Sequence, residues 1–488
     1  MSQNALSVVY KILVMTPVGR TETGQQIDYF PSRWSGSSGA YKVTTFYPYN
    51  LAYLTATLKR DTSHRVKMID ANYYGVDEDE YVDIVIKVDP DILIVEIDSI
   101  VFQKQMRIFE RIKNFKPNLK IIACGPHLTA APQDAPVGVV DHIALGEFEF
   151  SIPEFVNNGF NPATLGIYPN GKAPLVNVNE LPLPENDDIL RRNYCRLYGS
   201  EYNEVEVYAT RGCPVMCNFC VVTNVYYSKP NYRTRNVNSV VQEIKYLMRE
   251  IPELTGIFFN EEAHTINRKY LIELCNAFIE SGLSSILKFN CMANFDTLDY
   301  EVLALMHRAG YYKIRIGIES LDEQSMKAIS RGNLKSEYLR LIEMLEACKA
   351  VGVKVYGTMS VGTIASSYEK DIQSLNQVKE LHGRGLLQEF SLSINTPMKG
   401  TPFYDHCLEK GWLIEGKNQF DGGYEPIVSF PHYSADQMRH AFAYGTEIRS
   451  MINQANMLQG VRYSSYDREW CYPVYETSKR RVGTGILV

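Results

Sequence analysis

The sequence predicts an α/β protein with an N-terminal doubly wound, flavodoxin-like parallel sheet, a partial (β/α)6 barrel and a mostly helical C-terminal extension. Three observations predict it. At 488 residues the chain exceeds one ordinary core. Short, near-continuous apolar runs alternate with helix-period segments, the pattern of parallel strands covered on both faces. The alternation is interrupted between about 156 and 200 by Asn157-Asn158-Gly159, Pro169-Asn170-Gly171 and Leu181-Pro-Leu-Pro184, turn residues at a density that marks an interdomain connection. The expected divisions are therefore residues 1–155, a linker 156–200, a core 201–402 and an extension 403–488.

In the first part, strands are expected at Lys11–Met15, Arg65–Ile69, Ile92–Ile97, Lys120–Cys124 and Asp141–Leu145, with helices at Tyr49–Leu58, Tyr81–Val88 and Val101–Asn114 between them. Such sheets bind ligands at the carboxyl ends of their strands. Those ends read Thr16-Pro-Val-Gly-Arg-Thr-Glu22, Asp98-Ser99-Ile100, Gly125-Pro126-His127 and Gly146-Glu147. His127 reads as a loop residue making hydrogen bonds. The polar, Gly/Ser-rich stretch Gly19–Gly39 suits a long functional loop.

The second part opens with Glu204-Val-Glu-Val-Tyr208, alternating with period two. Five more strands are expected at Gly256–Phe259, Leu287–Asn290, Lys313–Ile316, Val353–Tyr356 and Glu389–Leu392, each preceded by a helical segment. Six βα units make an open barrel whose ligand-bearing ends lie on one face. The first strand leads into Arg211-Gly-Cys-Pro-Val-Met-Cys-Asn-Phe-Cys220, where Cys213, Cys217 and Cys220 stand four and then three positions apart. Thiolates at that spacing can hold three corners of a cubane iron-sulfur cluster and leave one iron open. The alternatives are zinc, which usually takes two separated ligand pairs that this chain lacks, or a disulfide. The other cysteines are scattered singly and no signal peptide is read, so reduced thiols are expected.

This Cys-x3-Cys-x2-Cys loop, with Phe219 before its third cysteine, resembles the signature of radical S-adenosylmethionine (SAM) enzymes. The resemblance extends over about residues 5–450 and implies a [4Fe-4S] cluster on the three cysteines that cleaves SAM to a 5′-deoxyadenosyl radical. It further implies SAM contacts from Asn260 and Glu261 after the second barrel strand, and from Glu319 and Ser320 in Gly317-Ile-Glu-Ser320. Asn395-Thr-Pro-Met-Lys-Gly-Thr-Pro402 resembles the turn that closes such cores. Gly362-Thr-Ile-Ala-Ser-Ser367 and Met292-Ala-Asn-Phe-Asp296 depart from the family pattern. The first part resembles the cobalamin-binding domain that precedes many radical SAM cores, which implies corrinoid contacts from Ser99, Gly125 and Gly146. The first strand's loop has no histidine to ligate cobalt from below.

The resemblance implies cobalamin-dependent methylation of an unactivated carbon in a small-molecule or natural-product substrate. The alternative is a non-methylating radical reaction (dehydration, cyclisation, epimerisation or rearrangement) with a vestigial or non-methylating cobalamin domain, in which Cys291 or a tyrosine could give hydrogen. A methylthiotransferase would add three cysteines near the N-terminus, where Cys124 alone lies in the first 190 residues. A flavodoxin or ferredoxin is the expected electron donor. The net charge of −6 argues against a nucleic-acid partner, and the apolar runs are too short to span a bilayer. Arg191-Arg192 and Lys479-Arg-Arg481 read as solvated surface, and a cytoplasmic location is expected.

Overall fold

The computed structural model describes residues 8–18, 46–99, 101–195, 200–329, 338–417, 423 and 425–461. The Gly19–Gly39 stretch, Ile100, the Lys479–Arg481 triplet and the tail with Trp470 and Cys471 lie outside the described residues. The chain forms two compact units that meet in sequence at Tyr194 and Cys195.

In the first unit, β1 (Lys11–Met15), β2 (Arg65–Ile69), β3 (Ile92–Glu96), β4 (Lys120–Cys124) and β5 (His142–Ile143) form a parallel sheet ordered β2-β1-β3-β4-β5. That is the doubly wound order expected from the alternation. β3 is buried at every position, as a central strand between two helical layers must be. The helix Glu78–Val88 starts on an Asp77/Glu80 capping box, which satisfies two N-terminal amides reciprocally.

Residues 156–194 belong to this unit instead of running free of it. Tyr194 donates to Asp70 Oδ2 at 2.6 Å. Lys59 pairs with Glu185 and Asp188 at 2.8 Å each. Arg191, expected at a solvated surface, is instead 1% exposed: it bonds the Tyr49 hydroxyl at 2.7 Å beneath the rings of Tyr47 and Tyr49. The aromatic faces replace water around the guanidinium, a compensation invisible to charge patterning.

In the second unit, β6 (Glu204–Val207) leads to a short antiparallel pair, β7 (Thr210–Arg211) with β8 (Arg233–Thr234). Then β9 (Gly256–Phe259), β10 (Lys288–Ala293), β11 (Tyr311–Glu319), β12 (Lys354–Val361) and β13 (Glu389–Ile394) complete a six-stranded parallel sheet. Its order, β13-β12-β11-β10-β9-β6, is that of an open barrel. Strand alternation sorts the residues. Val205, Ile257, Phe289, Cys291, Ile314, Ile316 and Val355 join the helices in the main core. The alternate set, including Glu204, Glu206, Phe258, Arg315, Tyr356 and Glu389, faces the lumen.

Lys313 is fully buried at one end of this lumen and pairs with Glu389 at 2.7 Å and Glu201 at 3.1 Å. A buried ammonium persists only with such partners. Cys291, a conceivable hydrogen donor, lies on the helix side, where burial pushes its thiol well above the usual range.

The described residues of the expected extension, up to 461, belong to this unit: Ala435–Leu458 is one helix begun by a Ser434/Gln437 capping box. Asn456 reaches the Gln388 carbonyl at 2.8 Å. Tyr433 donates to Asp371 at 2.7 Å, and the same carboxylate accepts the Gly362 amide at 2.8 Å and the Ser366 hydroxyl. Burial raises the Asp371 carboxyl from 3.8 to about 6. Between those values the folded chain keeps a proton that the unfolded chain has released, so this group's contribution to stability is complete below about pH 4 and is lost as pH rises through about 6. Asp371→Asn is expected to remove about 3 kcal/mol of pH dependence across that window. Denaturant unfolding at several pH values checks it; parallel wild-type and variant curves would refute the assignment.

Candidate iron-sulfur and SAM site

The cysteine loop follows β6 and β7 at the carboxyl-end face of the barrel. Gly212 turns it with φ +96°, and Asn231, which donates its amide to the Cys213 carbonyl at 3.2 Å, fills the space beside that glycine. Three further elements clamp the loop. Asn218 bonds the carbonyls of Ile329 and Ala328 through its amide and side chain, both at 2.9 Å, and accepts the Phe403 amide at 3.1 Å. Asn224, in the single π-helical turn Val222–Tyr226, donates to the Cys217 and Cys220 carbonyls at 2.8 Å each. Turns of that kind recur at functional sites. Glu262 accepts the Gly212 amide and the Tyr227 hydroxyl, both at 3.0 Å.

All three cysteines are outside any disulfide and half-buried. Burial pushes the Cys213 thiol up to about 12 and also raises that of Cys220. Against this, the Val215 amide lies 3.4 Å from Cys213 Sγ, and the backbone amides of Thr223 and Val222 oppose the rise at Cys220. Donors aimed at sulfur stabilise thiolate and tune a cluster's potential. A poorly ionising thiol with N–H donors in place is a site that binding iron would deprotonate, so these residues fit a cluster. Among the described residues no three His, Cys, Asp or Glu side chains converge on one ion position. A cubane needs no such convergence, since each thiolate binds its own iron.

At the end of β11, the pairing register slips between Gly317 and Glu319, and Glu319 takes φ +62°. A non-glycine residue held there is strained by about 1–2 kcal/mol. Its carboxylate accepts hydroxyls from Ser360 at 2.9 Å and Thr358 at 3.2 Å, which aim it from the neighbouring strand. Ser320 is buried; its hydroxyl lies 3.4 Å from that of Ser374 and accepts the Asp322 amide at 3.2 Å. Asn260, after β9, donates its side-chain amide to Glu206 within the lumen. Glu261 is fully buried and bonds the Ala209 amide at 3.3 Å, the Thr210 hydroxyl at 3.2 Å and His264 at 2.6 Å. The motif Asn260-Glu261-Glu262 thus sends one side chain into the lumen and two to the cysteine loop.

Sequence reading did not single out Glu262, Asn218, Asn224, Thr358 or Ser360. Only the polarity of Asn218 beside Cys217 hinted at one of them. Arg315 lies over the rings of Phe258 (4.4 Å) and Tyr356 (4.9 Å), a fixed cation in the lumen wall.

In the first unit, the Ser99 hydroxyl lies 2.9 Å from His127 Nδ1, whose Nε2 is 3.2 Å from Asp134, while the imidazole stacks on Phe102. His127 makes the hydrogen bonds expected of it, but from the first turn of a short helix, Pro126–Ala130, and not from a loop. Gly125, at φ +107°, admits no side chain because a Cβ would meet the Ile97 carbonyl at 2.5 Å. The Gly146 amide donates to Thr129 at 3.0 Å. At the neighbouring strand ends, Thr16 donates to Asp70 at 2.8 Å. At these strand ends the Ser99 hydroxyl and the Gly146 amide are held by His127 and Thr129, and the sequence between Met15 and Tyr49 contains no histidine.

The fold is one that solved cobalamin-dependent radical SAM enzymes share, and the cysteine loop has the spacing of the radical SAM signature. Residues 207–369 match the radical SAM superfamily. The chain is similar to an uncharacterized methyltransferase of Pyrococcus horikoshii, 24% identical over 81% of this chain and 86% of that one. It is also similar to an anaerobic magnesium-protoporphyrin IX monomethyl ester cyclase of Synechocystis, 24% identical over 76% of this chain and 74% of that one. In fold it is similar to OxsB, a cobalamin-dependent SAM radical enzyme solved with aqua-cobalamin and SAM (TM-score 0.69, 14% identity, 97% of this chain and 72% of that one). The radical SAM methyltransferase TsrM of Kitasatospora setae, solved with cobalamin and a [4Fe-4S] cluster, is a further fold relative (TM-score 0.61, 13% identity, 88% of this chain and 81% of that one).

Proposed function

We propose that the chain is a cobalamin-dependent radical SAM methyltransferase acting on an unactivated carbon of a small molecule. The observation that carries this reading is the loop of three half-buried cysteines, supplied with N–H donors to sulfur, on the same strand-end face as the strained Glu319. Cys213, Cys217 and Cys220 hold the cluster. When bound, the cluster, reduced by an external flavodoxin or ferredoxin, would supply with SAM a carbon-centred radical, and cobalamin would supply the methyl group.

The chain's own residues orient and enclose. Glu319, acceptor-only and aimed by Ser360 and Thr358, takes hydroxyl or ammonium protons of SAM. Asn260 and Ser320 are the further SAM contacts of this reading, and Ser99, Gly125 and Gly146 form the corrinoid rim of the first unit. The ionic group around Lys313 and the Tyr312–Glu204 bond close the far end of the lumen against water.

Anaerobic purification tests the reading. The wild type should carry about four irons per chain, and a Cys213/Cys217/Cys220→Ala triple variant should lose the brown colour. With reductant, SAM and hydroxocobalamin, S-adenosylhomocysteine should form beside 5′-deoxyadenosine. A coloured triple variant would sink the cluster assignment, whereas 5′-deoxyadenosine alone with no retained corrinoid would replace methylation by the non-methylating chemistry.

A further inference from the structure

The segment after β9 contains a buried polar chain that the proposed chemistry does not use. Glu261, His264 and Tyr311 are each fully buried. His264 Nδ1 lies 2.6 Å from Glu261 Oε1, and its Nε2 lies 2.7 Å from the Tyr311 hydroxyl. The other ties of Glu261 are to the Ala209 amide and the Thr210 hydroxyl. Those two residues directly precede Arg211-Gly212-Cys213. The chain therefore runs from the first residue of β11, through the loop after β9, to the entrance of the cysteine loop.

Its hydrogen bonds close with one arrangement of protons. A carboxylate only accepts, so Nδ1–H donates to Glu261 and Nε2 accepts the Tyr311 O–H. Surrounding contacts leave the imidazole no other pose. Its ring stacks on Phe259 with centroids 4.6 Å apart, and the His264 amide donates to the Met292 carbonyl at 3.2 Å. Removing the Tyr311 hydroxyl would leave Nε2 buried without a partner and release the ring that holds Glu261.

We infer that Glu261, His264 and Tyr311 form a positioning network that sets where the cysteine loop leaves the barrel. Glu261 acts through the backbone of Ala209 and the side chain of Thr210, and not on a bound ligand. The network ties β9, β10 and β11 to the residues that carry Cys213, so the first thiolate is placed by the barrel wall. Its consequence for iron rests on the cluster reading; its hold on the loop does not.

Hydrogen exchange on the metal-free chain tests the hold. Tyr311→Phe and His264→Gln should raise exchange of the amides of residues 209–212 about tenfold, with those of β12 and β13 unchanged. Glu261→Gln, which retains an acceptor for the Ala209 amide, should change them by less than about threefold. In anaerobically reconstituted protein, Tyr311→Phe should alter the cluster's visible circular dichroism and lose iron to a chelator about tenfold faster. Unchanged exchange at 209–212, or an equal rise across every strand, overturns the inference. A wild type that takes up no cluster would instead refute the functional reading, with the exchange data still deciding the network.

Discussion

Gly212→Ala should sharply impair cluster assembly while leaving the chain folded. An added Cβ would lie 2.0 Å from Asn231 Oδ1 and 2.9 Å from the Asn231 carbonyl, at a φ of +96° that L side chains rarely adopt. The left-handed conformation alone costs about 1–2 kcal/mol. The clash adds to that, because Asn231 is anchored by its amide to the Cys213 carbonyl and cannot simply withdraw. The local remedy is for the loop to open, and an opened loop no longer presents three thiols together. Iron per chain after reconstitution should therefore fall by about tenfold, in the range that outer-shell losses produce at metal sites. Gly282→Ala is the matched control. It has φ +75° but nothing within 4 Å of the added atom, so it should cost only about 1 kcal/mol and keep its iron. Equal iron contents in the two variants would disprove the role assigned to Gly212.

Glu319 should show opposite responses of stability and binding. Replacing it with alanine removes the carboxylate and keeps the strained φ of +62°; replacing it with glycine removes both. Each variant should bind SAM about 10–100-fold more weakly, the equivalent of a lost charged hydrogen-bond pair. The glycine variant should nevertheless exceed the alanine variant in unfolding free energy by about 1 kcal/mol. Equilibrium dialysis of SAM against the reconstituted proteins, with urea unfolding of each, gives both numbers. Wild-type SAM affinity in either variant would remove Glu319 from the site. Equal stability of the two would show that the conformation is not strained.

The strands were legible because a buried parallel strand must be apolar along its length, and Ile92–Glu96 and Lys120–Cys124 meet that demand without tertiary information. The cysteine loop was legible because ligand spacing is local. Glu319 was legible as a motif, but its strain and its two hydroxyl partners were not, since Ser360 and Thr358 lie about forty residues away and approach only through the β11–β12 pairing. Glu261 illustrates the limit most clearly. An acid after a barrel strand reads as a ligand contact, yet its partners at Ala209 and Thr210 are more than fifty residues distant and meet it in the core.

By itself, then, the sequence determined the two parallel sheets, their order along the chain and the three cysteines, all properties of periodicity and short-range spacing. The tertiary structure alone decided which side of a strand each residue serves and which acids are already spoken for. It turned Cys291 to the helices, buried Arg191 between tyrosines and gave Glu261 to the loop backbone. The physical reason is common to all three: the cost of burying a polar or reactive group depends on partners that only the folded chain brings within hydrogen-bonding distance.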